Sequence, residues 1–232
     1  MTSEPAPQTA AQAAPAAQAA RAGERCRVRP PAVAGTFYPA EPRALRRAVA
    51  ACVDAAAVPA GLHDTEAVIA AHAGYRYSGA TAAAAYRAVA ARRRELRRVV
   101  VVGPSHRHPV GGPGVGISTA DAWRTPLGDV ALDTEAAARL VADGLAIEAD
   151  EAHAPEHSVE VQLPFVQELL GDVPVLPLVV GRADSEDVAR AVEAVWAGPE
   201  MNRHLNAPPL MMAETPFAHP HSKLSRETVP FL

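Results

Sequence analysis

Cysteine is nearly absent: Cys26 and Cys52 are the only two in 232 residues. Two thiols cannot build a disulfide framework or a four-cysteine zinc site, so a reducing, cytoplasmic setting is the default expectation. Aromatic residues make up only 4% of the chain although about half of it (49%) is apolar, so any core must be assembled mainly from alanine and small aliphatic side chains. No apolar run approaches the roughly 18 residues that a membrane-crossing helix needs. The N-terminus lacks the basic start and apolar stretch of a secretory signal. Neither sign of charge dominates, the net value being −4. A protein that holds nucleic acid or an anionic membrane through basic patches is therefore not expected. Lysine is all but missing: Lys223 is the only one, and arginine carries the rest of the positive charge.

Residues 1–27 are rich in alanine, proline and glutamine. The prolines break helix and nothing large is available to bury, which predicts a disordered tail. The body, residues 28–197, alternates in texture. A Pro/Gly turn region leads into a helix over about 43–55, and AVIAAH (67–72) reads as a strand. A helix is predicted over about 79–96, and VVVVGPSH (99–106) is the clearest strand. Its four consecutive valines imply burial on both faces, as in a parallel sheet. Short strands are predicted at 114–118 and 129–132, and a helix at 134–144. A helix over 158–171 is interrupted by Pro164 and ended by Gly171. A buried strand at 173–181 and a helix at 185–196 follow. Strands alternating with helices predict an α/β fold, a mostly parallel sheet flanked by helices. Residues 198–232 differ: they hold Lys223, Asn202, Asn206 and every methionine except Met1. With no helix or strand period, this segment is predicted to be irregular.

Histidine is where chemistry gathers. His72 directly follows AVIAA, and His106 directly follows VVVVGPS. Open α/β sheets bind ligands beyond the carboxyl ends of their strands. The two imidazoles are therefore expected to meet in one crevice, at the ends of adjacent parallel strands. Neutral imidazole is a good ligand for iron, copper and zinc. In DEAHAPEHSVEVQLPF (150–165), His153 and His157 are four apart, but Pro155 between them argues against a regular helix. A helix starting at His157 or Ser158 would gather Glu156, His157 and Glu160 at its N-terminus, either as part of a site or as a capped start with solvated charges. Tyr75 and Tyr77 flank His72 and are placed either to hydrogen-bond a substrate oxygen or to pack. His108 is expected to be solvated, and Asp121 to hold a loop with Trp123 packed beneath it. His63, His204, His219 and His221 have no supporting context.

Five segments in order, RPPAVAGTFYP (29–39), AAHAGYRYSG (70–79), GPSH (103–106), DAWRTPLG (121–128) and EHSVEVQLPF (156–165), resemble the Memo family, also known as AmmeMemoRadiSam system protein B. The resemblance implies a fold like that of the catalytic subunit of class III extradiol dioxygenases, with a non-haem metal, iron or copper, at the strand ends. It implies that His72 and His106 bind that metal and that Glu156, His157 and Ser158 lie beside it, His157 being the candidate for proton transfer. It also implies a functional link to a radical SAM protein and an AMMECR-type protein. Members of the family continue with a Ser-Ser-Asp…His motif and a Cys-Gly…Pro-Ile segment whose cysteine completes the site. Neither occurs in residues 198–232. Two ligands are then expected, with weak metal binding or none. Glu156 or His157 would supply a third only if the fold brought it close.

The leading expectation is a metal-dependent, dioxygenase-like oxidoreductase acting on a small molecule of unknown identity. A binding module that keeps the fold without catalysis is the alternative, as is an inactive shortened copy whose missing strands would leave a sheet edge and part of the core uncovered.

Overall fold

A computed structural model describes residues 26–58, 65–196 and 210–213. Residues 1–25 of the tail expected over 1–27, and His63, His204, His219 and His221, lie outside the described residues.

The chain enters through β1 (Val28–Arg29). Helix α1 (Pro42–Ala55) starts where Pro42 presets φ, and the Glu41 carboxylate accepts the amide N–H groups of Arg43 and Ala44. After β2 (Ala67–Ile69) comes α2 (Tyr75–Ala90), which begins four residues before and ends six residues before the helix expected over 79–96. Gly79 lies inside this helix because a Cβ there would sit 2.4 Å from Cys52 Sγ on α1. The glycine is a contact point between the two helices. In β3 (Val99–Pro104), Val99 and Val101 face one core cluster while Val100 and Val102 face another, as the unbroken valine run implies.

Next come β4 (Val115–Ile117), β5 (Ala122–Thr125) and β6 (Gly128–Ala131). They are followed by α3 (Thr134–Ala142), capped by Asp133, then β7 (Ile147–Glu148) and α4 (Asp150–His153). The single helix expected over 158–171 is broken into three turns of different pitch. These are a 3-10 turn (Glu160–Gln162), α5 (Leu163–Phe165) containing Pro164, and a π turn (Val166–Leu170) closed by Gly171 at φ 84°. Strand β8 (Val175–Val180), α6 (Ser185–Trp196) and β9 (Leu210–Ala213) complete the described elements.

The fold is α/β, with sheets and flanking helices. The main sheet has the order β2-β9-β3-β8-β4-β7. Strands β2, β9, β3 and β8 pair in parallel, whereas β4 joins β8 antiparallel and pairs in parallel with β7. This sheet is therefore mixed. A smaller sheet, β1-β5-β6, pairs β1 with β5 in parallel and β5 with β6 antiparallel.

The expectation for 198–232 is corrected at Leu210–Ala213. These residues form β9, whose backbone pairs with Ala67–Ile69 on one side and Val99–Val102 on the other. Strand β9 therefore lies inside the main sheet, between β2 and β3. Among the described residues, no helix is long and apolar enough to cross a membrane.

Candidate metal centre

Three imidazoles converge beyond the carboxyl ends of β2 and β3. His72 lies three residues past Ile69, and His106 two past Pro104. Their ring centroids are 5.3 Å apart. The expectation that they end adjacent strands is corrected: β9 lies between β2 and β3, and the parallel register of all three still aims both loops at one place. His157 is the third member, its ring centroid 5.7 Å from that of His72 and 4.6 Å from that of His106. One nitrogen from each of the three lies within 4.8 Å of the others. Metal–nitrogen bonds of about 2.1 Å put the ligands of a tetrahedral ion about 3.4 Å apart, so the widest pair must close by about an ångström or slightly more. The donor set fits an imidazole-bound transition metal.

His157 is carried there by a segment with a partner for each residue. Ser158 donates its hydroxyl to the Pro104 carbonyl (2.9 Å), tying the segment to the end of β3. Glu156 is buried and takes several donors. Its Oε2 accepts the backbone N–H of His106 (2.6 Å), and its Oε1 accepts those of His157 (2.8 Å) and Ser158 (2.9 Å). His106 Nδ1 is hydrogen-bonded to Oε1 at 3.0 Å. His157 Nδ1 lies 3.1 Å from the same oxygen but outside hydrogen-bond alignment, which leaves that buried atom without a hydrogen bond. Burial would raise the Glu156 carboxyl, but the His157 and His106 rings and the backbone N–H groups outweigh it and hold the pKa well below the usual range. Glu156 is thus a carboxylate at neutral pH. Burial, with His106 and His157 nearby, lowers the pKa of His72 and favours the neutral ring a metal requires.

An open crevice of about 580 Å³ adjoins the cluster, with Phe37, His72, Tyr77 and His157 among its walls. The Phe37 ring packs on His157 at 4.6 Å. Gln162 donates to the Ala71 carbonyl (3.1 Å), steadying the loop that carries His72. The two tyrosines divide the alternatives left open for them. Tyr75 is buried and donates to the Val161 carbonyl (2.8 Å), so it packs. Tyr77 is 77% exposed at the crevice and is available to a ligand.

Other candidates are not brought in. His108 is exposed. Asp121 holds the loop, accepting the Arg27 N–H at 2.7 Å, and Trp123 is fully buried. His153 does not share a face with His157: it ends α4, packs edge-on against Trp123 at 5.3 Å, and contacts the Gly116 carbonyl through Nε2 at 3.2 Å. Burial lowers its pKa to about 4. The unfolded chain, with a value of about 6.5, then binds more protons than the folded one between those limits. Stability should be full above pH 6.5 and fall as pH drops toward 4, by about 2 kcal/mol at pH 5. Denaturant unfolding at pH 7 and pH 5 should show that extra loss in the parent and not in His153→Gln; equal losses would contradict it.

Glu160 is not a solvated charge at a helix start either. It is fully buried, paired with Arg29 at 2.6 Å. It also accepts the N–H groups of Ala32 (2.7 Å) and Val33 (2.9 Å) and the Tyr38 hydroxyl (2.7 Å). Arg29 donates to the carbonyls of His153 (2.7 Å) and Glu156 (2.8 Å) and lies 4.1 Å from the Trp123 ring centre. Sequence reasoning missed this pair, because its partners are 131 residues apart. The one available signal was an arginine directly before two prolines in a motif otherwise apolar.

A family model described as Memo-like protein matches residues 29–221, past the change in composition at Gly198. Curated relatives agree. A MEMO1 family protein of Methanopyrus kandleri is 38% identical over 213 residues, 86% of this chain and 72% of its own length. MEMO1 family proteins of Ignicoccus hospitalis and Methanococcoides burtonii are 40% and 41% identical, over 70% and 72% of this chain. The matched stretches span 59% and 62% of those two relatives' lengths.

Proposed function

From the premise that this chain belongs to the Memo-like family, we propose that it is a metal-dependent oxidoreductase of the extradiol-dioxygenase kind, acting on a small molecule held in the crevice. The observation that carries the reading is the convergence of His72, His106 and His157 within 4.8 Å. Three neutral imidazoles suit iron or copper and leave positions for substrate and dioxygen. A bound ion would supply Lewis-acid and redox chemistry. His72 and His106 hold it from the strand ends. His157 takes the third position, in place of the proton-transfer role first assigned to it. Phe37 backs the His157 ring and helps keep water from that side. Tyr77, exposed on the crevice wall, offers a phenol to a substrate oxygen. A functional link with radical SAM and AMMECR-type proteins belongs to the same proposal.

Calorimetric titration with iron(II) under anaerobic conditions, or with copper(I), should give one ion per chain, with affinity about 100-fold lower or worse in His106→Ala, since even residues behind the ligands are worth 10–100-fold. Negligible binding by the parent protein would overturn the metalloenzyme reading and favour the non-catalytic binding module.

A further inference from the structure

We propose that Glu156 is a positioning residue that sets the tautomer of two metal-binding histidines at once, leaving Nε2 of both His106 and His157 bare for the ion. The inference rests on the metal reading above and adds how the donor atoms are chosen. A neutral imidazole carries its proton on one nitrogen and offers the other, and the hydrogen bond made by the first decides which. Glu156 Oε1 lies 3.0 Å from His106 Nδ1 and 3.1 Å from His157 Nδ1. A carboxylate can only accept, so His106 Nδ1, which is bonded to it, must carry the proton, and the same negative charge beside His157 Nδ1 favours the proton there. Nε2, across each ring, is then the lone-pair nitrogen. The two rings stack at 4.6 Å with 25° between their planes.

His106 is already aligned with Oε1, whereas His157 is at the right distance and not aligned. Oε1 already accepts His106 Nδ1 and the N–H groups of His157 and Ser158, so Glu156 faces His157 Nδ1 as a negative charge and not through a fourth hydrogen bond. The cluster's widest separation, up to 4.8 Å, has to shrink for a single ion to bridge it. Backbone bonds hold the carboxylate independently of either ring: the N–H groups of His106, His157 and Ser158 all donate to it. Glu156 is therefore fixed before any metal arrives. Carboxylates behind ligating histidines commonly govern affinity in this way.

The test uses the full chain with 15N-labelled histidine and zinc(II) alone as the probe. Long-range 1H–15N spectra of the metal-free protein at neutral pH should show the Nδ1–H tautomer at both His106 and His157. In Glu156→Gln those tautomers should mix or reverse, and zinc affinity of the folded variant, read by chelator competition, should fall about 10–100-fold. An Nε2–H tautomer at either histidine in the parent protein overturns the proposal, and that reading needs no variant to fold. Unchanged tautomers and affinity in Glu156→Gln overturn it too. If the parent protein shows both Nδ1–H tautomers but takes up no zinc, the positioning role stands and the metal reading fails.

Discussion

Glu160→Ala should lower the free energy of unfolding by about 3–5 kcal/mol, the usual penalty for leaving one member of a buried ion pair without the other. That is a large share of the roughly 5–15 kcal/mol available to a domain. The magnitude follows from what the carboxylate holds. Arg29 would keep its charge in a buried setting, and the N–H groups of Ala32 and Val33 and the Tyr38 hydroxyl would lose their acceptor. Glu160→Gln keeps the shape but removes the charge, so it should fall between the parent and Glu160→Ala. Equilibrium unfolding in urea reads both. A loss below about 1 kcal/mol in Glu160→Ala, the range of an exposed pair, would show that the network is not what ties residues 29–38 to the rest. The effect should reach the site as well, since Phe37 lies in that segment and packs on His157, and Arg29 also holds the carbonyl of Glu156.

Metal-linked stability provides the second large effect. An ion that binds only the folded chain adds about 2.7 kcal/mol when present at 100 times its dissociation constant. For a domain of this size that corresponds to a rise of roughly 5–10 °C in the melting temperature. The parent protein should show this rise with iron(II) or zinc(II). His72→Ala, His106→Ala and His157→Ala should each lose most of it at the same metal concentration. An identical rise in all four proteins would mean that metal binds elsewhere; no rise in the parent would mean that the three imidazoles do not act together.

Local pattern carried much of the fold. The valine run of β3 and the apolar run of β8 read directly as buried strands, and alternation of strand and helix signalled the α/β class. The departures each have a physical reason. The helix expected over 79–96 runs over Tyr75–Ala90 instead, and Gly79 within it is demanded by Cys52 on a neighbouring helix. The break-up of residues 160–170 arises around Pro164, whose missing N–H disrupts a regular ladder. Strand β9 has no telling period, since its pairing with β2 and β3 is a long-range event. The site was legible in part. His72 and His106 were visible because each follows a strand. The role of His157 depended on whether the fold delivered it, and the bonds of Glu156 and Ser158 to the end of β3 do so. His153 and His157 are four apart, but Pro155 between them argues against a regular helix; α4 does end at His153, and one ring turns into the core and the other into the crevice.

The central claim is that three histidines hold one ion. X-ray absorption at the metal edge of the reconstituted protein tests it most directly. The account predicts one ion per chain, with scattering from three imidazoles at about 2.0–2.1 Å that drops to two in His157→Ala. An ion surrounded only by oxygen, or a spectrum that His157→Ala leaves unchanged, would contradict it.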